Sequence, residues 1–306
     1  MISMDDIDKR IILKLDSDCR MTYQMMANKL GLSSTAIRKR LTKLLDSGII
    51  DRFMTTLSLE MIDSDLIIAI VQTDGSEFQD EFISEMRKNS SVVQVSHVAC
   101  GKGGLYSVFA VTSGVQALSD FGLFLRTLKS VTNVEIHVLV YPRGKKVELT
   151  NLQLRVLKHL VDDPRMSIAD LAEMTGMTAR RVRRVIDELH EGSGIDFSVY
   201  WNLGKGGLTE ILLRIEWDEN ISNHESVTDW LRKEYPLEFW TPFISATSPI
   251  MFARFVVDKL ETIESITKGV RKAPFVKSVT ILVFFSNNMF EWPGVKELRL
   301  RLEEIK

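Results

Sequence analysis

Within eleven residues, Ser33, Ser34, Thr35, Arg38, Lys39, Arg40 and Lys43 gather three hydroxyls and four cations, with no acid among residues 33–45. That local charge of +4 sits in a chain of 306 residues whose formal net charge is −2. Hydroxyls and arginines can read base edges in the DNA major groove, and lysines or arginines can neutralise phosphates. A second group, Thr178, Arg180, Arg181, Arg183 and Arg184, lies 145 residues further on, where Asp187 and Glu188 dilute the charge. A near-neutral chain excludes a general nucleic-acid coat, so binding has to come from such patches.

These residues need a helix held at its N-terminus. Met25, Met26 and Leu30 recur at helical spacing. Gly31 then supplies a turn residue that tolerates positive φ, and Ser33 or Ser34 an N-cap. Ile37, Leu41, Leu44 and Leu45 form one apolar stripe on the next helix, opposite the polar group. Gly48 stops that helix, and Ile49, Ile50 and Phe53 begin a strand. The pattern is helix, tight turn, helix, strand, and the chemistry is that of a helix entering a major groove.

The same pattern recurs over residues 167–199. At an offset of 145, Gly31 meets Gly176, and Ile37, Leu41 and Leu44 meet Val182, Ile186 and Leu189. The offset persists downstream: Val134, Ile136, Val138 and Val140 alternate as a strand, and so do Val279, Ile281, Val283 and Phe285. Repeats of this kind decide architecture before anything else does. A first helix is predicted from Met4 to Asp16, with acids in its first turns where the helix dipole favours them. Between the two helical units, strands and helices follow in the order βαββαβ. That order usually gives a four-stranded antiparallel sheet with both helices on one face, the ferredoxin-like arrangement. The expected fold class is α+β, with two winged helix-turn-helix domains (1–58 and 147–203) alternating with two ferredoxin-like domains (62–142 and 207–287). A tail helix within 288–306 is expected to pack on a sheet edge or a helix.

Asp5-Asp6-Ile7-Asp8 ahead of the first helix, the turn Leu30-Gly31-Leu32-Ser33 and the stretch Asp46-Ser47-Gly48-Ile49-Ile50 resemble the leucine-responsive and asparagine-C (Lrp/AsnC) family of transcription regulators. The resemblance covers residues 4–141 and, more loosely, 149–286. It implies DNA binding by the helix after Ser33, assembly through the sheet domains within the chain or as a homodimer, and an amino-acid-like effector. The corner Gly101, Gly104, Tyr106 and Ser107 is similar to the family's effector turn, although Ser107 stands where an acid is common. The second copy of that corner, Ala246-Thr247-Ser248-Pro249-Ile250, has no glycine. Siroheme decarboxylases resemble the same two-part architecture and form the alternative reading. They would need a proton donor for a tetrapyrrole, and the stretches 51–59 and 196–203 hold no His and only Arg52 as a basic residue.

Other constellations are quiet. The five histidines are scattered without ligand spacing, Cys19 and Cys100 fit no metal or redox motif, and no nucleophile–base set can be argued from spacing. Gly204-Lys205-Gly206-Gly207 leads into a strand and reads as a loop, not a phosphate loop. The aromatics from Phe239 to Phe285 read as core, or as an apolar pocket between sheets. No apolar run is long enough for a bilayer, and the N-terminus does not read as a signal peptide. The expectation is therefore a cytoplasmic, non-enzymatic regulator with no metal or cofactor, whose partners are double-stranded DNA, a small effector and itself.

Overall fold

The computed structural model describes residues 4–99 and 103–304. In chain order the elements are α1 (Asp6–Ser17), α2 (Tyr23–Leu30), α3 (Ser34–Asp46), β1 (Ile50–Leu57), β2 (Asp65–Thr73), α4 (Gln79–Arg87), β3 (Val92–Val98), β4 (Leu105–Thr112), α5 (Gly114–Thr127) and β5 (Val131–Val140). They continue as α6 (Asn151–Leu160), α7 (Ile168–Thr175), α8 (Ala179–Gly192), β6 (Ile195–Trp201), β7 (Thr209–Trp217), α9 (His224–Glu234), β8 (Phe239–Ser245), β9 (Ile250–Val257), α10 (Leu260–Arg271), β10 (Val276–Met289) and α11 (Pro293–Glu303). Short 3-10 turns lie at Glu60–Ile62 and Leu203–Gly206. The chain divides into two compact units, one of them made from Asp65–Tyr141 and Leu203–Phe290. The other holds Asp5–Ser64, Pro142–Asn202 and the stretch from Glu291 onward.

The helical unit is built by matched local signals. Asp5 and Asp8 form a capping box at α1, and Thr150 and Gln153 form one at α6, 145 residues later. Thr22 caps α2 and Ser167 caps α7, while Gly31 (φ +68°) and Gly176 (φ +66°) end them in the left-handed region. Each such cap stabilises its helix by about 1 kcal/mol. Ile11, Ile12, Leu15, Met26, Ile37, Leu41 and Leu44 are buried, as the apolar spacing predicts.

The strand that follows α3, and the one that follows α8, departs from a winged hairpin. β1 pairs antiparallel with β6, so each helix-turn-helix lends its single strand to the other. The backbone after Leu57 runs into the 3-10 turn at Glu60–Ile62, and Ser58 N donates to Gly194 O at 2.9 Å. The register has a local two-fold. Phe53 faces Val199 and Met54 faces Ser198, and adding 145 to Phe53 and Met54 gives Ser198 and Val199. α11 closes this unit as expected of the tail. Leu298 and Leu302 join the core of Val156, Leu160 and Ile186. Gly294 lies so near β1 that a Cβ there would meet Thr56 Oγ1 at 2.4 Å.

The second unit is a closed eight-stranded barrel in the order β10-β3-β4-β2-β5-β8-β9-β7. Its two βαββαβ runs meet at two unequal seams. β5 reaches β8 through the short pairing Leu139–Ser245 and Val140–Ile244, extended by Ala246 N donating to Val138 O at 2.8 Å, and Pro142, which lacks an N–H, follows directly after Tyr141. β10 instead passes a bulge at Phe284/Ser286 and continues along β3 to Met289–Gln94, beyond the end expected at Phe285. Alternate strand residues pack under the helices, Ile67, Ala69, Tyr106 and Val108 in one half and Ile211, Leu213, Phe239 and Phe255 in the other. The opposite phase carries Phe109, Phe243 and Phe252 beside the buried Gln94, Ser96, Ser107, Glu210 and Arg254. The aromatic group thus divides between two packing layers, with Phe285 68% exposed.

Candidate nucleic-acid interface and effector corner

Ser33 is the N-cap of α3, its hydroxyl accepting from Ala36 N at 3.2 Å. Thr178 caps α8 in the same way, accepting from Arg181 N at 3.2 Å. These caps fix the start of α3 and of α8, so the side chains of the first turn project from a defined point. On α3, Ser33, Thr35, Arg38, Lys39 and Lys43 are exposed. Ser34 is half-buried and donates to Gln24 Oε1 at 2.7 Å. Arg38 lies over the Tyr23 ring, 5.3 Å from its centroid, which orders the guanidinium from below. On α8, Arg180, Arg183 and Arg184 are exposed and Arg181 is half-buried, and Arg184 Nε donates to Glu188 Oε1 at 2.9 Å.

Arg40 differs from its neighbours. Its Nη1 donates to Asp5 Oδ1 at 2.9 Å and to Asp8 Oδ1 at 2.7 Å, and the Asp8 side chain is almost wholly buried. Burial raises the Asp5 carboxyl, but the Asp8 N–H and the Arg40 guanidinium lower it further, and the net shift is downward. Expected from sequence among the groove contacts, Arg40 is instead committed to the capping box of α1 and ties α3 to it. The acids that claim it lie 32 and 35 residues away, beyond any helical spacing.

The effector corner is brought together only in part. Gly104 N donates to Thr73 Oγ1 at 2.9 Å, and Thr73 Oγ1 donates to Glu77 Oε1 at 2.7 Å. Tyr106 OH donates to the same Oε1 at 3.0 Å. Burial, reinforced by the Glu77 carboxylate, pushes the Tyr106 phenol well above its ordinary value. Glu77 Oε2 is buried with no hydrogen-bond partner among the described residues. His97 stacks on Tyr106 at 5.2 Å. Thr73 and Glu77 were missed from sequence; the polar run Thr73-Asp74-Gly75-Ser76-Glu77 closing an apolar strand was the available signal. Ser107 does not belong to this corner. It is fully buried on the strand face opposite Tyr106, because consecutive strand residues point to opposite faces. Gly101 lies outside the described residues. Among the described residues no His/Cys/Asp/Glu group is arranged to hold a metal ion, and no helix is long and apolar enough to cross a membrane.

Comparison with known proteins meets this geometry at both helical segments. Residues 4–45 match the AsnC-type helix-turn-helix domain, and residues 149–192 match a winged helix-turn-helix DNA-binding domain. An uncharacterised HTH-type transcriptional regulator of Pyrococcus furiosus is 28% identical over 136 residues, covering 44% of this chain and 87% of that protein. The HTH-type transcriptional regulator FL11 of Pyrococcus horikoshii is 24% identical over 155 residues, covering 50% of this chain and 99% of that protein. A crystal structure of the siroheme decarboxylase NirDL superposes with a TM-score of 0.52 at 14% identity, covering 98% of this chain and 100% of that one, a likeness of fold alone. Residues 4–45 thus carry an AsnC-type helix-turn-helix and residues 149–192 a second, winged one, and over nearly half its length the chain is similar to HTH-type transcriptional regulators.

Proposed function

We propose that this chain is a sequence-specific DNA-binding transcription regulator that presents two recognition helices, α3 and α8, from one polypeptide. The observation that carries the reading is the two-fold register of β1 against β6. It arranges two capped, basic helices as the two halves of a dimeric reader would be arranged. The contacts are assigned to Ser33, Ser34, Thr35, Arg38, Lys39 and Lys43 on α3, and to Thr178, Arg180, Arg181, Arg183 and Arg184 on α8. Arg40 acts through α1 rather than on DNA. The chain is a tandem duplication, with helix-turn-helix domains at 1–58 and 147–203, ferredoxin-like domains at 62–142 and 207–287, and a tail at 288–306. In this reading the barrel reproduces inside one chain a sheet–sheet association that otherwise takes two, and the protein works in the cytoplasm.

The effector is amino-acid-like, and the corner of Thr73, Glu77, Gly104 and Tyr106 receives it. The buried Glu77 Oε2, without a hydrogen-bond partner among the described residues, suits an ammonium group. Selection of a random duplex pool at two salt concentrations tests the DNA reading. Wild type recovers a two-part motif and loses affinity steeply with salt, while Arg38→Glu/Lys39→Glu binds far more weakly with a shallower slope. A folded protein that enriches nothing and binds without salt dependence overturns the reading.

The whole-length fold likeness to NirDL favours a second reading as a tetrapyrrole enzyme. Against it, β1 and β6 carry no histidine, and Arg52, their one basic side chain, is held over the Tyr200 ring at 4.4 Å. Titration with an iron tetrapyrrole, followed by its absorption band, separates the readings. A saturable spectral shift with no selected DNA motif supports the enzyme.

A further inference from the structure

The two recognition helices are related by the β1–β6 two-fold, yet they differ at the positions that reach base edges. Exchange by 145 residues carries Thr35 to Arg180 and Ala36 to Arg181. It carries Arg38 to Arg183 and Lys39 to Arg184, so the basic pair one turn further on is kept. Thr35 and Arg180 are both exposed, in the first turn beyond their caps. First-turn residues of a recognition helix contact bases, while later basic residues mainly fix the helix on phosphates. The duplicated heads therefore keep their phosphate clamps and change their readers.

The chemistry of the two readers is unequal. An arginine can donate two parallel hydrogen bonds to guanine O6 and N7, the commonest specific contact in the major groove. A threonine offers one hydroxyl and a methyl group that packs on the thymine methyl. Ser34, the other first-turn hydroxyl on α3, is already bonded to Gln24. The ends of the helices diverge as well, since Lys43 of α3 corresponds to Glu188 of α8, which accepts from Arg184 Nε.

Resting on the DNA-binding reading above, we infer that one chain recognises a directional operator with two different half-sites. Arg180 of α8 fixes a guanine in one half, and Thr35 of α3 selects the other half without a guanine requirement. Such a chain docks in one orientation only, because reversing it places Arg180 on the wrong half. A homodimer of identical heads has no such polarity.

The test is duplex selection by the full chain, read as a position-by-position motif, for wild type, Arg180→Ala and Thr35→Arg. Wild type yields two dissimilar half-sites with a guanine in one. Arg180→Ala loses that guanine alone, weakening binding to the wild-type site about ten- to a hundred-fold, with the other half-site and the melting temperature unchanged. Thr35→Arg gains a guanine in the second half, and its motif approaches a palindrome. A palindromic wild-type motif overturns the inference, since it means that like heads of two chains share the site. So does an Arg180→Ala motif altered in both halves or in neither. If wild type enriches no motif at all, the DNA-binding reading itself falls, which is a separate result.

Discussion

Arg20 and Arg165, separated by 145 residues, each hold the backbone of the other's loop. Arg20 Nη1 donates to Pro164 O at 2.6 Å and Nη2 to Met166 O at 3.0 Å. In return, Arg165 donates to Cys19 O and, at 3.3 Å, to Met21 O. The α1–α2 and α6–α7 connections are thereby clasped by a reciprocal pair on the two-fold that relates β1 to β6. Hydrogen bonds from a charged donor stabilise by about 1.5–3 kcal/mol. Arg20→Ala or Arg165→Ala should each cost about 2 kcal/mol in chemical denaturation. Lysine should fail to restore either, because one ammonium cannot span two carbonyls as the fork does. The double variant should cost more than the sum of the singles, because each single variant also relieves the repulsion between the two like charges, a relief that the double variant gains only once. Full additivity would mean that the clasp is two independent contacts.

A second bridge in this unit is pH-dependent. His190 Nε2 lies 3.2 Å from Asp18 Oδ1 and Nδ1 lies 2.9 Å from Ile186 O, so both ring nitrogens donate when the imidazole is charged. The bond to Asp18 raises the His190 pKa above 6.5. Burial pushes Asp18 upward, but His190 and the Arg20 N–H outweigh it and bring the carboxyl below its ordinary value. For the histidine, stabilisation is complete below pH about 6.5 and is lost as pH rises through the folded value. For the aspartate, it is present above pH about 4 and is lost on further acidification. His190→Gln should therefore lower the melting temperature most near pH 5–6, and less and less as pH rises through the raised folded value of His190. The bridge is about one-third exposed, so screening keeps the effect at or below about 1 kcal/mol. An equal deficit at all pH values would assign His190 a packing role against Phe197.

Glu210 and Arg254 make a different kind of pair inside the barrel. Both are buried, yet Glu210 Oε2 and Arg254 Nε stand 3.8 Å apart and neither of these two atoms is hydrogen-bonded among the described residues, while Asn287 Nδ2 donates to Glu210 Oε1 at 3.4 Å. Arg254 lies between the rings of Phe109 and Phe243, at 5.8 and 5.0 Å. Burial raises the Glu210 carboxyl, with Arg254 opposing it. Removing one partner of a buried pair leaves the other uncompensated, at a cost of about 3–5 kcal/mol. Arg254→Met should destabilise by about that amount at neutral pH, with recovery on acidification as Glu210 takes up a proton. Glu210→Gln/Arg254→Met should return to within about 1 kcal/mol of wild type. A double variant as unstable as Arg254→Met would show that the guanidinium's ring packing, rather than its charge, supports the barrel.

What could be read from the sequence was local. The caps Ser33 and Thr178, the turns at Gly31 and Gly176 and the stripe Ile37-Leu41-Leu44 follow from spacing within a few residues, although Leu45, expected in the same stripe, is 37% exposed. The pairing of β1 with β6 was not legible, because a strand's partner is set by where the chain goes next. The same holds for the seams of the barrel and for the capture of Arg40 by Asp5 and Asp8. Ser107 was legible in principle, since assigning Tyr106 to the helix-covered face sends its neighbour to the other. Glu77 entered the corner only through the approach of Gly75 to Gly103, where an added Cβ would stand 3.0 Å from Gly103 Cα.

That corner gives the last prediction. A Cβ at Gly104 would stand 2.0 Å from Glu77 Oε1 and 2.5 Å from Thr73 Oγ1, both ends of the bond network that holds Tyr106 OH. Gly104→Ala must push the Glu77 carboxylate away, since Thr73 is anchored in β2. Overpacking of this kind costs about 1–3 kcal/mol. The Tyr106 phenol, held high by burial and by Glu77, should then ionise nearer its ordinary value of about 10. An absorbance titration reads this as one of the five tyrosines moving to lower pH. Glu77→Gln removes the charge without the clash, so it should lower the same phenol while costing less stability. If the phenol does not move in Glu77→Gln, burial alone sets its ionisation. Glu77 would then be a poor choice for the ammonium contact of an effector, because its carboxylate would exert little field where the ligand has to bind.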